Sequence, residues 1–74
     1  MEQFILDETR EYIHLVQLLK AMGWAENGSQ AQQFVVEGLV KHNNQVDYRK
    51  RLKVRAGDIV EFDGIEVQVV DKNS

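Results

Sequence analysis

The apolar residues of this chain change their spacing once, near Gly38, and that change limits the folds open to it. Before it, Tyr12, Leu15, Val16, Leu19 and Met22 recur at intervals of three and four, which makes one stripe of a helix through "EYIHLVQLLKAMGW". Ala31, Phe34 and Val35 repeat that interval in a second helix. After Gly38 the period becomes two: "LVKH", "QVDY", "RLKVR", "DIVEF" and "IEVQVV" are short pieces separated by Asn43-Asn44, Ala56-Gly57 and Asp63-Gly64. Helices and strands segregated in this way bury their apolar faces against each other. The expected class is α+β, two short N-terminal helices packed on a small, mainly antiparallel β-sheet.

The punctuation agrees with the periods. Gly23 and Gly38 stand where left-handed residues would end the two helices. Asn27 with Gln30 forms a capping-box pair for the second helix, and Ser29 with Gln32 is the rival start. Asp63-Gly64 is a hairpin signal, because both central positions of the tight turn need positive φ. In the strand that follows, Ile65, Val67 and Val69 are expected to face inward. "QFIL" adds a possible N-terminal strand at a sheet edge.

With 74 residues, no low-complexity segment and no internal repeat, the chain reads as one domain over 1–74. A domain of this size buries only roughly 60% of its unfolded surface, which leaves few residues for an enclosed active site. There is no cysteine, and His14 and His42 are the only imidazoles, so neither a nucleophilic triad nor a zinc site is indicated. Ser29 is explained by the helix start, and Asp58, Glu61, Asp63 and Glu66 fall among solvated strand and turn positions. No enzyme activity, metal or cofactor is expected. The acidic start and the lack of a long apolar run point to a soluble, cytoplasmic protein rather than a secreted or membrane one.

Charge is segregated beneath a formal total of −3. Residues 1–40 hold two cations against six carboxylates, residues 41–55 six cations against Asp47, and residues 56–74 one cation against five carboxylates. A cationic run is commonly the solvated face of an edge strand. Here Arg outnumbers Lys, acids are not interleaved, and the polar "KHNN" turn adjoins the run; all three favour an anionic partner. If "RLKVR" is extended, Arg51, Lys53 and Arg55 share one face and Leu52 and Val54 the other, with Arg49 in the preceding bend. Candidate contacts are Lys41, His42, Asn43, Arg49, Lys50, Arg51, Lys53 and Arg55. No aromatic stacking platform is evident: Tyr48 is expected to be partly buried and Trp24 to anchor a turn. The expected ligand is structured RNA, rRNA or tRNA-like, held mainly by its phosphates; an adaptor docking an acidic protein is the alternative.

The order of a helix, a capped helix, "EGLVKHNNQV", a basic stretch and "VRAGDIVEF" resembles the RNA-binding domain first known from small-subunit ribosomal protein four, the S-four or αL domain. Gly38, Val40 and Asn43, then Val54, Gly57 and Asp58, stand in the places of that family's two motifs, over roughly residues 12–62. The chain is most similar to small stand-alone bacterial members, which implies a ribosome-associated or related RNA-binding role. His14 and Gly28 occupy positions where the family commonly has Arg, and Asn44 replaces a Gly. The resemblance therefore implies weaker helix contacts, with His14, Gln30 and Gln33 as secondary sites, and shifts affinity toward Lys41, Asn43 and the basic run.

Overall fold

The computed structural model describes residues 1–7 and 10–72. In chain order the elements are β1 (Glu2–Leu6), β2 (Tyr12–His14), α1 (Leu15–Ala21), α2 (Gly28–Val36), β3 (Val40–His42), β4 (Gln45–Val46), β5 (Lys53–Arg55), β6 (Ile59–Phe62) and β7 (Ile65–Asp71). Five strands form one sheet in the order β1-β7-β6-β3-β4, antiparallel except where β1 runs parallel to β7 at the edge. The other two, β2 and β5, pair antiparallel as a separate ribbon. The α+β class and the additional N-terminal strand are as the sequence implies.

Local chemistry explains the element ends. The Asn27 side chain accepts the Gln30 amide at 2.8 Å, which selects the first of the two possible starts for α2. The Gln30 carbonyl in turn accepts the Glu26 amide at 2.6 Å, one residue earlier than the usual reciprocal bond. Gly23 and Gly38 both take φ of +76° as the helices terminate. Asp63 and Gly64 adopt φ of 54° and 77°, and Asn43 and Asn44 adopt 50° and 72°. Both hairpins thus use left-handed residue pairs, the geometry that matches strand twist.

One core unites the sheet, the helices and the ribbon. Leu15, Leu18 and Leu19 from α1 and Ala31 and Val35 from α2 meet Val40, Val60, Val67 and Val69 of the large sheet. Ile13 and Val54 bring the ribbon's inner face to the same cluster. Phe62 stacks on Phe34 with centroids 4.8 Å apart and on Trp24 at 5.7 Å, so Trp24 does anchor the turn between the helices.

Three expectations change. The first helix starts at Leu15, not before Tyr12, because Tyr12–His14 pairs with Lys53–Arg55 and Ile13 is 2% exposed on the ribbon's inner face. Within "RLKVR" only Lys53–Arg55 is a strand, while Arg51 lies in a turn. Ile65 has inward parity yet is 40% exposed beside the Asp63-Gly64 turn, whereas Val67 and Val69 are fully buried.

Candidate nucleic-acid interface

The ribbon arranges four side chains as a square. Tyr12 stands opposite Arg55, and His14 opposite Lys53, while Ile13 and Val54 between them point into the core. Strand alternation therefore places all four on the solvated face. The Lys53 ammonium lies 4.9 Å from the Tyr12 ring centroid, the Arg55 guanidinium 5.8 Å from it, and the His14 ring 5.3 Å away. Contacts of this kind are worth about 0.5–1 kcal/mol each when exposed, enough to favour one placement of two flexible cations. The fold does bring a Tyr12–His14 pair, its rings tilted by 54°, beside these cations, which the sequence reading did not foresee. Its signal was the alternation of Tyr12, Ile13 and His14, which three helical-looking neighbours masked.

The bend before β5 is held by Asp47. Its carboxylate accepts the Arg49 amide at 2.9 Å, Nε at 3.0 Å and Nη2 at 2.7 Å. The hydrogen bond from the Arg49 side chain lowers the Asp47 pKa from its ordinary value, against the opposing effect of burial. Arg49 is thus paired within the chain, and the basic run does have an acid to neutralise part of it. Tyr48 is 64% exposed rather than partly buried, with its ring edge against Gly38. Added to Gly38, a Cβ would meet the Tyr48 ring at 3.1 Å. Leu52 packs partly against the core, and its carbonyl accepts the first amide of α1, from Leu15, at 2.9 Å. Between these two fixed points Lys50 and Arg51 are exposed at the turn.

His42 and Asn43 are also engaged internally. His42 Nε2 is 3.0 Å from an Asp58 carboxylate oxygen, which also accepts the Arg55 amide at 2.9 Å. The Asn43 side-chain oxygen accepts the Ile59 amide at 2.8 Å, and its amide nitrogen is 3.5 Å from the other Asp58 oxygen. Burial alone would raise the Asp58 pKa, but the bonds from the Arg55 amide, His42 and Asn43 outweigh it and leave the pKa below its ordinary value. These residues tie the Asn43-Asn44 turn to the Gly57-Asp58 turn across sixteen residues of sequence.

The other candidates scatter. Lys41 is exposed on β3, paired in register with Glu61 on β6, which is itself opposite Glu66 on β7. Gln30 caps α2, and Gln33 donates to Glu37 at 2.6 Å. A different glutamine, Gln32, faces the basic turn. It lines an open hollow of about 310 Å³ with His14, Gln17, Lys50 and Arg51. So α1, α2 and the turn meet the ribbon there. Among the described residues no group of three or more His, Cys, Asp or Glu side chains is placed to hold a metal ion, and no helix is long and apolar enough to cross a membrane.

The chain as a whole is similar to known proteins. The solution structure of YbcJ from E. coli, described as revealing an αL motif involved in RNA binding, matches with a TM-score of 0.71 and 44% identity. That match covers 95% of this chain and 87% of the other. By sequence, YbcJ of Escherichia coli K12, a candidate RNA-binding protein by name, is 48% identical over 59 residues, which is 80% of this chain and 84% of the relative. The uncharacterised YbcJ of Shigella flexneri matches to the same extent. The Escherichia coli relative is named for binding rather than for a reaction. The S4 domain profile matches residues 6–70, which span the ribbon, both helices and the large sheet apart from most of β1 and the end of β7: this chain belongs to the S4 domain family.

Proposed function

We propose that the protein binds structured RNA, rRNA or tRNA-like, mainly through phosphates held by Lys50, Arg51, Lys53 and Arg55, and works in ribosome or RNA metabolism in the cytoplasm. The observation that carries this reading is the contrast in partners within the basic segment. Arg49 is neutralised by Asp47, whereas these four cations are exposed and form no ion pair with a carboxylate among the described residues. Their backbone is fixed by a core-anchored ribbon and a braced turn, so little loop entropy remains to be lost on binding. The family membership and the RNA-binding motif named for the similar structure support the same ligand.

Each phosphate contact releases condensed counterions, so four contacts give a log-log salt dependence of roughly −3 to −3.5. A titration of a folded RNA at several salt concentrations measures that slope. A slope near zero would refute phosphate-dominated binding. Because an acidic protein would also bind salt-dependently, a polyglutamate peptide is added as competitor. Displacement of RNA only by a second RNA supports the proposal, and stronger binding of the peptide overturns it.

A further inference from the structure

The Tyr12–His14 platform borders a second open hollow, of about 520 Å³, lined by Arg10, Glu11, Tyr12, His14 and Gln17 among the described residues. Its volume lies in the ~300–1,000 Å³ span of small-ligand clefts. No residue of β5 lines it, so Lys53 and Arg55 stand outside it. His14 and Gln17 line both this hollow and the smaller one that holds Lys50 and Arg51. The two hollows are therefore contiguous but chemically unlike. One presents two cations and amides, the other an aromatic face, an amide and the Glu11 carboxylate beside Arg10, opposite charges that leave it without a net cationic pull.

That difference assigns the parts of a nucleotide. A phosphate is repelled by Glu11 and attracted by Lys50 and Arg51. A base is the reverse case: it offers a flat face to Tyr12 and His14, and its amino protons suit a carboxylate or an amide oxygen. We propose that the larger hollow receives a single unpaired nucleobase of the bound RNA, stacked on Tyr12 with the tilted His14 ring at its edge, beside Glu11 and Gln17, with the flanking phosphate in the Lys50–Arg51 hollow. This rests on the RNA reading above and sharpens it: the ligand is a helix interrupted by an unpaired nucleotide, not an unbroken duplex. Adenine, guanine and cytosine carry an amino group and uracil does not, so uridine is the poorest occupant.

The test uses a stable RNA hairpin, fully paired or carrying one bulged A, G, C or U, with affinity read by fluorescence anisotropy. The full-length protein binds the A, G and C bulges about tenfold more tightly than the paired hairpin, a typical stacking contribution. Tyr12→Leu removes that difference and lowers affinity for the paired hairpin only by the few-fold that loosening Lys53 and Arg55 allows, with the salt slope unchanged, while Tyr12→Phe keeps both the difference and the affinity. Amide spectra of the two variants establish that the ribbon is intact. Glu11→Ala brings the U bulge level with the others; a uridine that already binds equally well removes Glu11 from the site. Nuclear Overhauser contacts join the Tyr12 ring to the bulged base. Equal binding of bulged and paired hairpins with the salt slope preserved overturns the stacking site and leaves phosphate recognition standing. Binding of neither hairpin refutes the RNA reading itself, and the stacking site with it.

Discussion

The large sheet and the small ribbon obey one rule of alternation and present opposite surfaces. Each turns valines and isoleucines inward, with Val60, Val67 and Val69 in one and Ile13 and Val54 in the other fully or almost fully buried. On the sheet's outer side the row across the strands is Lys41, Glu61 and Glu66, and the cation is faced by carboxylates. Across the ribbon the row is Tyr12 and Arg55, then His14 and Lys53, with no acid in it. A chain with a net charge of −3 can therefore hold a cationic surface, because the field a polyanion meets is set by which element carries each charge. At moderate salt charges more than about 10 Å apart are largely screened, so the ribbon and not the total charge governs contact.

The most severe attempt to break this contrast is Arg51→Glu with Lys53→Glu. It makes the ribbon resemble the sheet's outer row, and RNA affinity should fall by about a hundredfold or more, since two attractive contacts become repulsive. Thermal unfolding should shift only slightly, because both side chains are exposed and Lys53 gives up only its contact with the Tyr12 ring. A protein that retained its affinity would place recognition elsewhere.

Next in size is a change that spares the ribbon's charges and removes the brace behind them. Asp58→Asn weakens the bonds from the Arg55 amide, His42 and Asn43, and should cost about 1–3 kcal/mol in chemical denaturation. Its pH dependence carries a sign. The Asp58 pKa is lower in the folded state than in the unfolded chain, so its contribution is complete above the ordinary carboxylate range and is lost as pH falls through the folded value. The Asn variant should accordingly show a shallower acid limb than the wild-type protein. An identical acid limb would mean that Asp58 contributes nothing as an ionised group.

Much of the scaffold was legible because its signals are local. Asn27 and Gln30 are three residues apart, and Asp63-Gly64 requires nothing beyond two left-handed conformations. The ribbon was not legible, because Tyr12–His14 becomes a strand only through Lys53–Arg55, some forty residues later. In isolation its apolar spacing continues that of α1. Likewise, His42 and Asn43 look like free donors in the sequence, and only the fold brings Asp58 to them. Charge identified the cations of the candidate site but not which of them are already occupied, as Arg49 is by Asp47.

Two milder substitutions sharpen the same contrast. Lys41→Ala lies in the acid-faced row of the sheet and should reduce RNA affinity by less than about threefold, as a peripheral charge does. Gln33→Ala removes a surface bond to Glu37 and should leave binding unchanged, whereas Gln32→Ala, in the basic hollow, should have a small measurable effect. A larger loss at Gln33 than at Gln32 would rotate the contact surface around α2.

The parallel pairing of β1 with β7 has a mechanical consequence. Glu2 lies beside Val67 and Leu6 beside Asp71, so the first and last strands run side by side in the same direction. Force applied between the two termini slides these strands lengthwise and loads their hydrogen bonds together in shear, whereas an antiparallel terminal pair would peel apart rung by rung. Stretched from its ends, this small domain should resist extension until the β1–β7 seam fails as a unit.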